Sequence, residues 1–378
     1  MSHPLRVLHI SSGNLYGGIE TLLHTMARER NLRPSLSHAF ALCFEGRLAR
    51  ELRDAGVEVR VLGPAKTGRP WSVWRARSVL RELLRGGRYD VVICHAIWPQ
   101  ALFGPVVRTA GVPLAFFQHD ALTGQHWLER WARVTPPDLV LTNSRFAAGT
   151  LVSVYPQVPW RVTHCPLPMP PLALGASERA RVRMELGASE GDAVIVHAGR
   201  MQESKGQRLL VEALGRLRAV PGWRVWFAGG AQRPDEEAYL EGLRAQAKHL
   251  GVEGRLRFLG QRSDVSRLLR AADIHCHPNS RPEAFGLVFV EALQAGLPVV
   301  TTPMGGALEI VDASCGVFVR PEPESLALAL GRLIEDPQTR ARLGAAGPAR
   351  AAALCDAGGF LRGMEEALRA LSEQEVPV

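Results

Sequence analysis

Glu283 and Glu291 stand eight residues apart in RPEAFGLVFVEALQAG, residues 281–296, where most neighbours are apolar. A charge in such a run must reach water or meet a partner that offsets its desolvation. The strand-like AADIHCHPNS ends at Pro278, and a helix is predicted to begin near Gly286. The amides of Ala284, Phe285, Gly286 and Leu287 would then lack intrahelical partners at the positive end of the helix dipole, where phosphate or sugar oxygens bind. Glycine at 286 lets a ligand approach the backbone. Glu283 would face that ligand. Glu291, about a turn and a half along the helix, would reach a second part of it, such as ribose hydroxyls. The structural alternative is that Glu283 caps the helix and Glu291 pairs with an arginine.

Arg200 and Lys205 in HAGRMQESKG follow directly on an apolar strand, where a diphosphate would lie in an open α/β sheet. Arginine suits bidentate phosphate contacts and lysine supplies a compact charge. The alternative is a pair of surface cations. SSGNLYGGIE, residues 11–20, places Gly17 and Gly18 at another helix start. Several chemistries lack their motifs: there is no GxGxxG, no GxxxxGK[ST], no GxSxG and no Asp-x-Asp. His275 and His277 share a strand face but supply only two ligands where catalytic zinc takes three, so they read as filled strand positions.

These residues need a scaffold that gathers strand ends. LRVLHISSGNLYGGIETLLHTMA and DAVIVHAGRMQESKGQRLLVEAL each read as strand, glycine loop and amphipathic helix, the opening βα unit of an α/β domain. VEVRVLG, YDVVICHA, PLAFFQH and DLVLTNS continue the first half; WRVWFAGG, RLRFLG, ADIHCH and LPVVTTP continue the second. HCPLPMPPLALG, residues 164–175, has four prolines from Pro166 to Pro171 and reads as the linker. The fold class is therefore α/β, with two Rossmann-like domains facing each other across a cleft. Residues 1–168 form one domain and 169–356 the other.

Composition bounds the rest. The 378 residues exceed one ordinary core, and 46% hydrophobic with 22% charged residues is globular usage. The six cysteines are scattered without a CxxC pair and read as reduced core residues. No apolar run spans a bilayer, and MSHPLRVLHISSG lacks the features of a secretory signal, which predicts a cytoplasmic protein. Residues 1–175 carry 20 Lys and Arg against 11 Asp and Glu, while the remainder is nearly balanced. Much of the excess lies in residues 66–88, where Trp71, Trp74, Arg77, Arg81 and Arg85 suit an anionic membrane face or an ordinary solvated helix face. No zinc-finger or RNP-type motif points to nucleic acid.

The GGIE loop, the GR…SKG strand-loop, the E-x7-E from Glu283 to Glu291, and GLPVVTTPMGGALEIV together resemble the retaining glycosyltransferases of the GT-B fold, family 4 (glycosyl transferases group 1). The resemblance covers residue 6 to about 335. It implies transfer of a hexose from a UDP- or GDP-linked sugar to a glycan, lipid or small-molecule acceptor, as in polysaccharide or cell-envelope biosynthesis, with no cofactor and no metal. Arg200 and Lys205 would neutralise the donor diphosphate, Glu283 would hold the sugar hydroxyls, and Glu291 the ribose. The amides of Ala284, Phe285, Gly286 and Leu287 would lie beside the donor, and Gly17 and Gly18 would admit it from the first domain. His119, at the end of PLAFFQHD, matches a histidine the family keeps near the reacting sugar. Gly229 and Gly260, with the 258–264 loop, would flank the base. A last helix, about 357–378, would pack back on the first domain. A sugar-nucleotide 2-epimerase on the same fold and a non-catalytic sugar-nucleotide-binding protein remain the rival readings.

Overall fold

A computed structural model describes residues 3–14, 17–167 and 174–373. The chain divides into two compact units, Met1–Pro168 with Cys355–Val378, and Met169–Leu354. The expected boundary at 168/169 and half of the proline-rich linker lie outside the described residues.

In the first unit, strands β1 (Leu5–Ser11), β2 (Leu36–Leu42), β3 (Glu58–Val61), β4 (Val91–His95), β5 (Leu114–Gln118), β6 (Leu139–Thr142) and β7 (Trp160–Val162) form a parallel sheet in the order β3-β2-β1-β4-β5-β6-β7. In the second, β8 (Ala193–Ala198), β9 (Trp223–Ala228), β10 (Leu256–Phe258), β11 (Ile274–His277), β12 (Val299–Thr301) and β13 (Gly316–Phe318) run parallel in the order β10-β9-β8-β11-β12-β13. Both orders are the doubly wound Rossmann arrangement, with strand direction of progress reversing between β1 and β4 and between β8 and β11. Ligand crevices form at the carboxyl ends of strands at such a reversal.

The inner strands are buried on both faces, as helix-covered parallel sheets require, while the edge strands β3 and β7 are largely exposed. VVICH in β4 and AVIVHA in β8 are buried at every position. Three strands escape the sequence pattern. β7 and β13 are short and partly exposed, without a buried apolar run, and Ser37 and His38 interrupt β2.

The C-terminal helix, Ala357–Ser372, belongs to the first unit. Asp356 caps it by accepting from the amides of Gly358 and Gly359. Phe360, Leu361, Met364, Leu368 and Leu371 bury one stripe of it. Buried Glu365 pairs with Arg33 and with Arg369, whose Nη2 donates to Ser35 O at 3.2 Å.

Candidate functional site

In the second unit the loops after β8 and β11 converge. Gly206 adopts φ +73, and a Cβ there would collide with the Pro278 carbonyl oxygen. Ser280 N donates to Ser204 O at 3.0 Å, and Ser280 Oγ donates to Glu203 O at 2.8 Å. This zipper brings Lys205, in the short turn Glu203–Lys205, to Glu283: Nζ lies 2.6 Å from Oε1. Asn279 Nδ2 donates to the other carboxylate oxygen at 3.1 Å.

Two stacked rings, His197 and His277, support the pair with centroids 4.4 Å apart. His197 Nε2 donates to Lys205 O at 2.9 Å, and His277 Nδ1 donates to Ala198 O at 3.1 Å. Burial is the main cause that pushes His197 down to about 4, and burial, reinforced by His197 and Lys205, holds His277 well below its ordinary range. Both rings are therefore neutral, and His277 turns an unprotonated Nε2 toward Glu283 Oε2 at 3.9 Å. The sequence treated His277 as a filled strand position. Its role follows from the loop that curls over the strand end.

A second contact fixes Glu283 from below. Gly305 (φ +62) and Gly306 lie so close to residues 283–285 that a Cβ on either would strike their backbone, and Gly306 N donates to Glu283 O at 2.8 Å. Thr302 Oγ1 donates to Asn279 O at 2.7 Å. The adjacent glycines in TPMGGAL were the sequence signal for this close approach.

The helix Leu287–Gln294 follows Gly286, whose φ of +96 opens it. Ala284 and Phe285 are buried and precede the left-handed residue, so the expected set of amides shifts. Leu287 and Val288 carry the first-turn N–H groups without a partner among the described residues, and Phe289 N already donates to Gly286 O. Glu291 is half-buried on this helix with no ion pair or hydrogen bond to its side chain among the described residues. Desolvation alone raises its carboxyl to about 7. Neither structural alternative is found among the described residues: Glu291 has no arginine partner, and Glu283 pairs with Lys205.

Arg200 sits 3.6 Å from the buried carboxylate of Glu236, which also accepts from Gln202 Nε2 at 2.7 Å and Gln232 N at 2.6 Å. Gln207 Nε2 donates to Arg200 O at 2.8 Å. Arg200 is therefore steered by a carboxylate that the sequence did not single out. Gly229 (φ +152) packs against the Gly199 carbonyl with no room for a Cβ, and its amide donates to Gly260 O at 2.9 Å. Its glycine is demanded by the protein's own backbone. Gly260 (φ +67) faces open space.

In the first unit, Gly17 precedes the helix Gly18–Arg28. Glu20 satisfies the amide at this start, its Oε2 accepting from Gly17 N at 2.9 Å. His119 lies just past β5, stacked on Phe117 with centroids 4.6 Å apart, and its Nε2 is 3.1 Å from His95 Nδ1. Burial pushes His119 down to about 3.

The basic face of the helix Pro70–Gly86 is narrower than its sequence suggests. Arg77 turns inward: Nε donates to Leu102 O at 2.6 Å, and its guanidinium lies over the Trp131 ring. Trp71, Trp74 and Arg85 remain exposed, with Arg81 half-buried. No helix among the described residues is long and apolar enough to cross a membrane.

Known proteins share this fold. Alr3699/HepE of Anabaena, solved in complex with UDP-glucose, is 25% identical with a TM-score of 0.86 over 97% of this chain and 99% of that chain. Sucrose-phosphate synthase of Thermosynechococcus elongatus shares the fold at a TM-score of 0.78, with 18% identity over 97% of this chain and 98% of that one. Two Rossmann-like units of this kind are the build of a GT-B glycosyltransferase. Residues 178–350 match the family described as Glycosyl transferases group 1, and residues 16–169 match Glycosyltransferase Family 4. A D-inositol 3-phosphate glycosyltransferase of Segniliparus rotundus is 31% identical over 77% of this chain and 70% of its own length. One of the same description from Stackebrandtia nassauensis is 33% identical over 56% of this chain, a match that spans about half of that relative, 49%. The chain belongs to the glycosyl transferases group 1.

Proposed function

We propose that the chain moves a hexosyl group from a UDP- or GDP-linked sugar to a glycan, lipid or small-molecule acceptor, with retention and without a metal. The observation that carries this reading is Glu291, a half-buried carboxylate raised to about 7 with no partner for its side chain among the described residues. A protein keeps such a group where a ligand supplies the missing hydrogen bonds, and ribose hydroxyls are suited to it. Uridine is the first base to test, because the Anabaena structure is described as a complex with UDP-glucose.

On this reading the first-turn amides of Leu287 and Val288, with Arg200 and Lys205, receive the diphosphate. A phosphate replaces Glu283 as the partner of Lys205, and Glu283 turns to the sugar hydroxyls. The anomeric C–O bond to the diphosphate breaks as the acceptor oxygen bonds to the same face. The acceptor proton passes to a diphosphate oxygen. Negative charge grows on the leaving group, so fixed cations and amides stabilise the transition state more than the ground state. Neither glutamate forms a covalent intermediate, unlike the nucleophile of a retaining glycosidase.

The test compares thermal stabilisation by UDP and GDP, since a ligand bound only by the native state raises stability by RT ln(1 + [L]/Kd). Turnover with UDP-glucose and an acceptor series follows, with and without EDTA. Nucleoside diphosphate released only with acceptor, and insensitive to EDTA, supports metal-free transfer. Epimerised sugar released without acceptor would establish the epimerase reading, and binding without turnover the non-catalytic one.

A further inference from the structure

Four histidines of the first unit form a continuous hydrogen-bonded chain across its sheet. His38 Nδ1 is 2.9 Å from His9 Nε2, His9 Nδ1 is 3.0 Å from His95 Nε2, and His95 Nδ1 is 3.1 Å from His119 Nε2. The strand register explains the staircase. His38 lies opposite Val7, two residues before His9; His9 lies opposite Ile93, two before His95; His95 lies opposite Phe117, two before His119. Each step moves one strand across and one same-face position up, the diagonal contact available to large side chains in a sheet. Phe40 stacks on His9, and Phe117 stacks on both His95 and His119 with centroids 4.6–5.5 Å away, so the ring planes are held.

Such a chain has a direction. All four rings are buried, and desolvation keeps each neutral. Four neutral rings carry four ring hydrogens, one each. Three fill the three hydrogen bonds, and the fourth must sit at one end, on His38 Nε2 or His119 Nδ1. His38 Nε2 is buried without a partner among the described residues. A hydrogen there would be an orphaned buried donor, which proteins avoid more strictly than an unfilled acceptor. The positive charge of Arg30 also acts on His38. Both effects push the hydrogens the other way.

We infer that His38, His9 and His95 are positioning residues that set the tautomer of His119, so that its Nδ1 carries the hydrogen and offers a donor to a ligand oxygen. Placing a donor-sugar oxygen there rests on the proposed function; the tautomer does not. The same assignment removes His119 Nδ1 as a base for the acceptor proton, which leaves that proton to the diphosphate oxygen.

The test is a long-range proton–nitrogen correlation spectrum of ligand-free, histidine-labelled protein, with His119 assigned through His119→Phe. Pyrrole-type Nδ1 and pyridine-type Nε2 in His9, His95 and His119 together are the expected result. Hydrogen on Nε2 of His119 in the wild type overturns the inference. His95→Phe cuts the chain, so His119 should shift to a mixture of tautomers or to Nε2–H, and donor KM should rise about tenfold. A His119 locked as Nδ1–H in that variant would show that the relay does not act. If His95→Phe fails to fold, the wild-type spectrum still decides. Tautomers as expected without stabilisation by UDP or GDP would leave the relay standing and remove the nucleotide-sugar reading.

Discussion

Lys205 Nζ and Glu283 Oε1 meet at 2.6 Å although 78 positions separate them in the chain. Each follows a strand of the β8/β11 reversal, so the pair joins the two loops where an open α/β sheet binds its ligand. Both side chains are about one-fifth exposed, which lets the pair exchange partners with an entering phosphate.

Replacing Lys205 with Met should lower kcat/KM for the donor by about 10²–10³, the loss seen when one transition-state charge contact is removed. Glu283→Gln keeps the shape and should cost about 10². Stability should fall by only about 1 kcal/mol in either variant, because water reaches the pair. Steady-state kinetics and urea titration check both.

Glu291 gives stability a pH slope of known sign. Its carboxyl is near 7 in the folded chain against 4.5 ordinarily, so folding favours the protonated form. That stabilisation is complete below pH 4.5 and is lost as pH rises through about 7. Glu291→Gln stays neutral and should be more stable than wild type at pH 8 by on the order of 2 kcal/mol, with the two converging at pH 5. Its UDP affinity should fall about tenfold through the lost charged acceptor.

The buried histidines act in the opposite sense. His38 and His197 sit near 4, and His119 and His275 near 3, all below the ordinary 6.5. Their stabilisation is present above pH 6.5 and is lost as pH falls toward 4. Each fully buried ring contributes up to about 2 kcal/mol of this loss by pH 5, so together they outweigh Glu291. Denaturant midpoints should fall steeply from pH 6.5 to pH 5.

Gly305→Ala should displace the Glu283 backbone, cost about 2–3 kcal/mol, and abolish stabilisation by nucleotide. Gly260→Ala has the same backbone sign but open space, so only conformational strain of about 1–2 kcal/mol is expected. Thermal melts with and without UDP separate the two.

Trp71 and Trp74 are exposed beside Arg85 on one helix. If this face contacts anionic membrane, Trp71→Ser with Trp74→Ser should reduce binding to phosphatidylserine vesicles at least fivefold. Unchanged vesicle binding would reject the contact. Arg77→Ala should instead lower stability, since its guanidinium packs inward against Leu102 and Trp131.

The βα alternation, the paired loops after the first strand of each half and the glutamates flanking Gly286 were legible because periodicity and glycine placement are local. Local signals fail where a partner comes from afar. β2 looked interrupted because His38 faces His9 and not solvent, and HCH looked inert because the loop carrying Glu283 folds back over it. Arg77 looked exposed because helical spacing alone does not show which side Leu102 lies on.

By itself the chain determined the two α/β halves, the residue types that can meet a phosphate and a polyol, and the stretches that carry them, since hydrophobic period and turn chemistry act over a few residues. Only the tertiary structure decided that Lys205 holds Glu283, that Glu236 steers Arg200, that Glu291 finds no partner among the described residues and that four histidines form one chain. Each of those depends on strand order and register, which place residues dozens of positions apart within hydrogen-bonding distance and set how much water each charge retains.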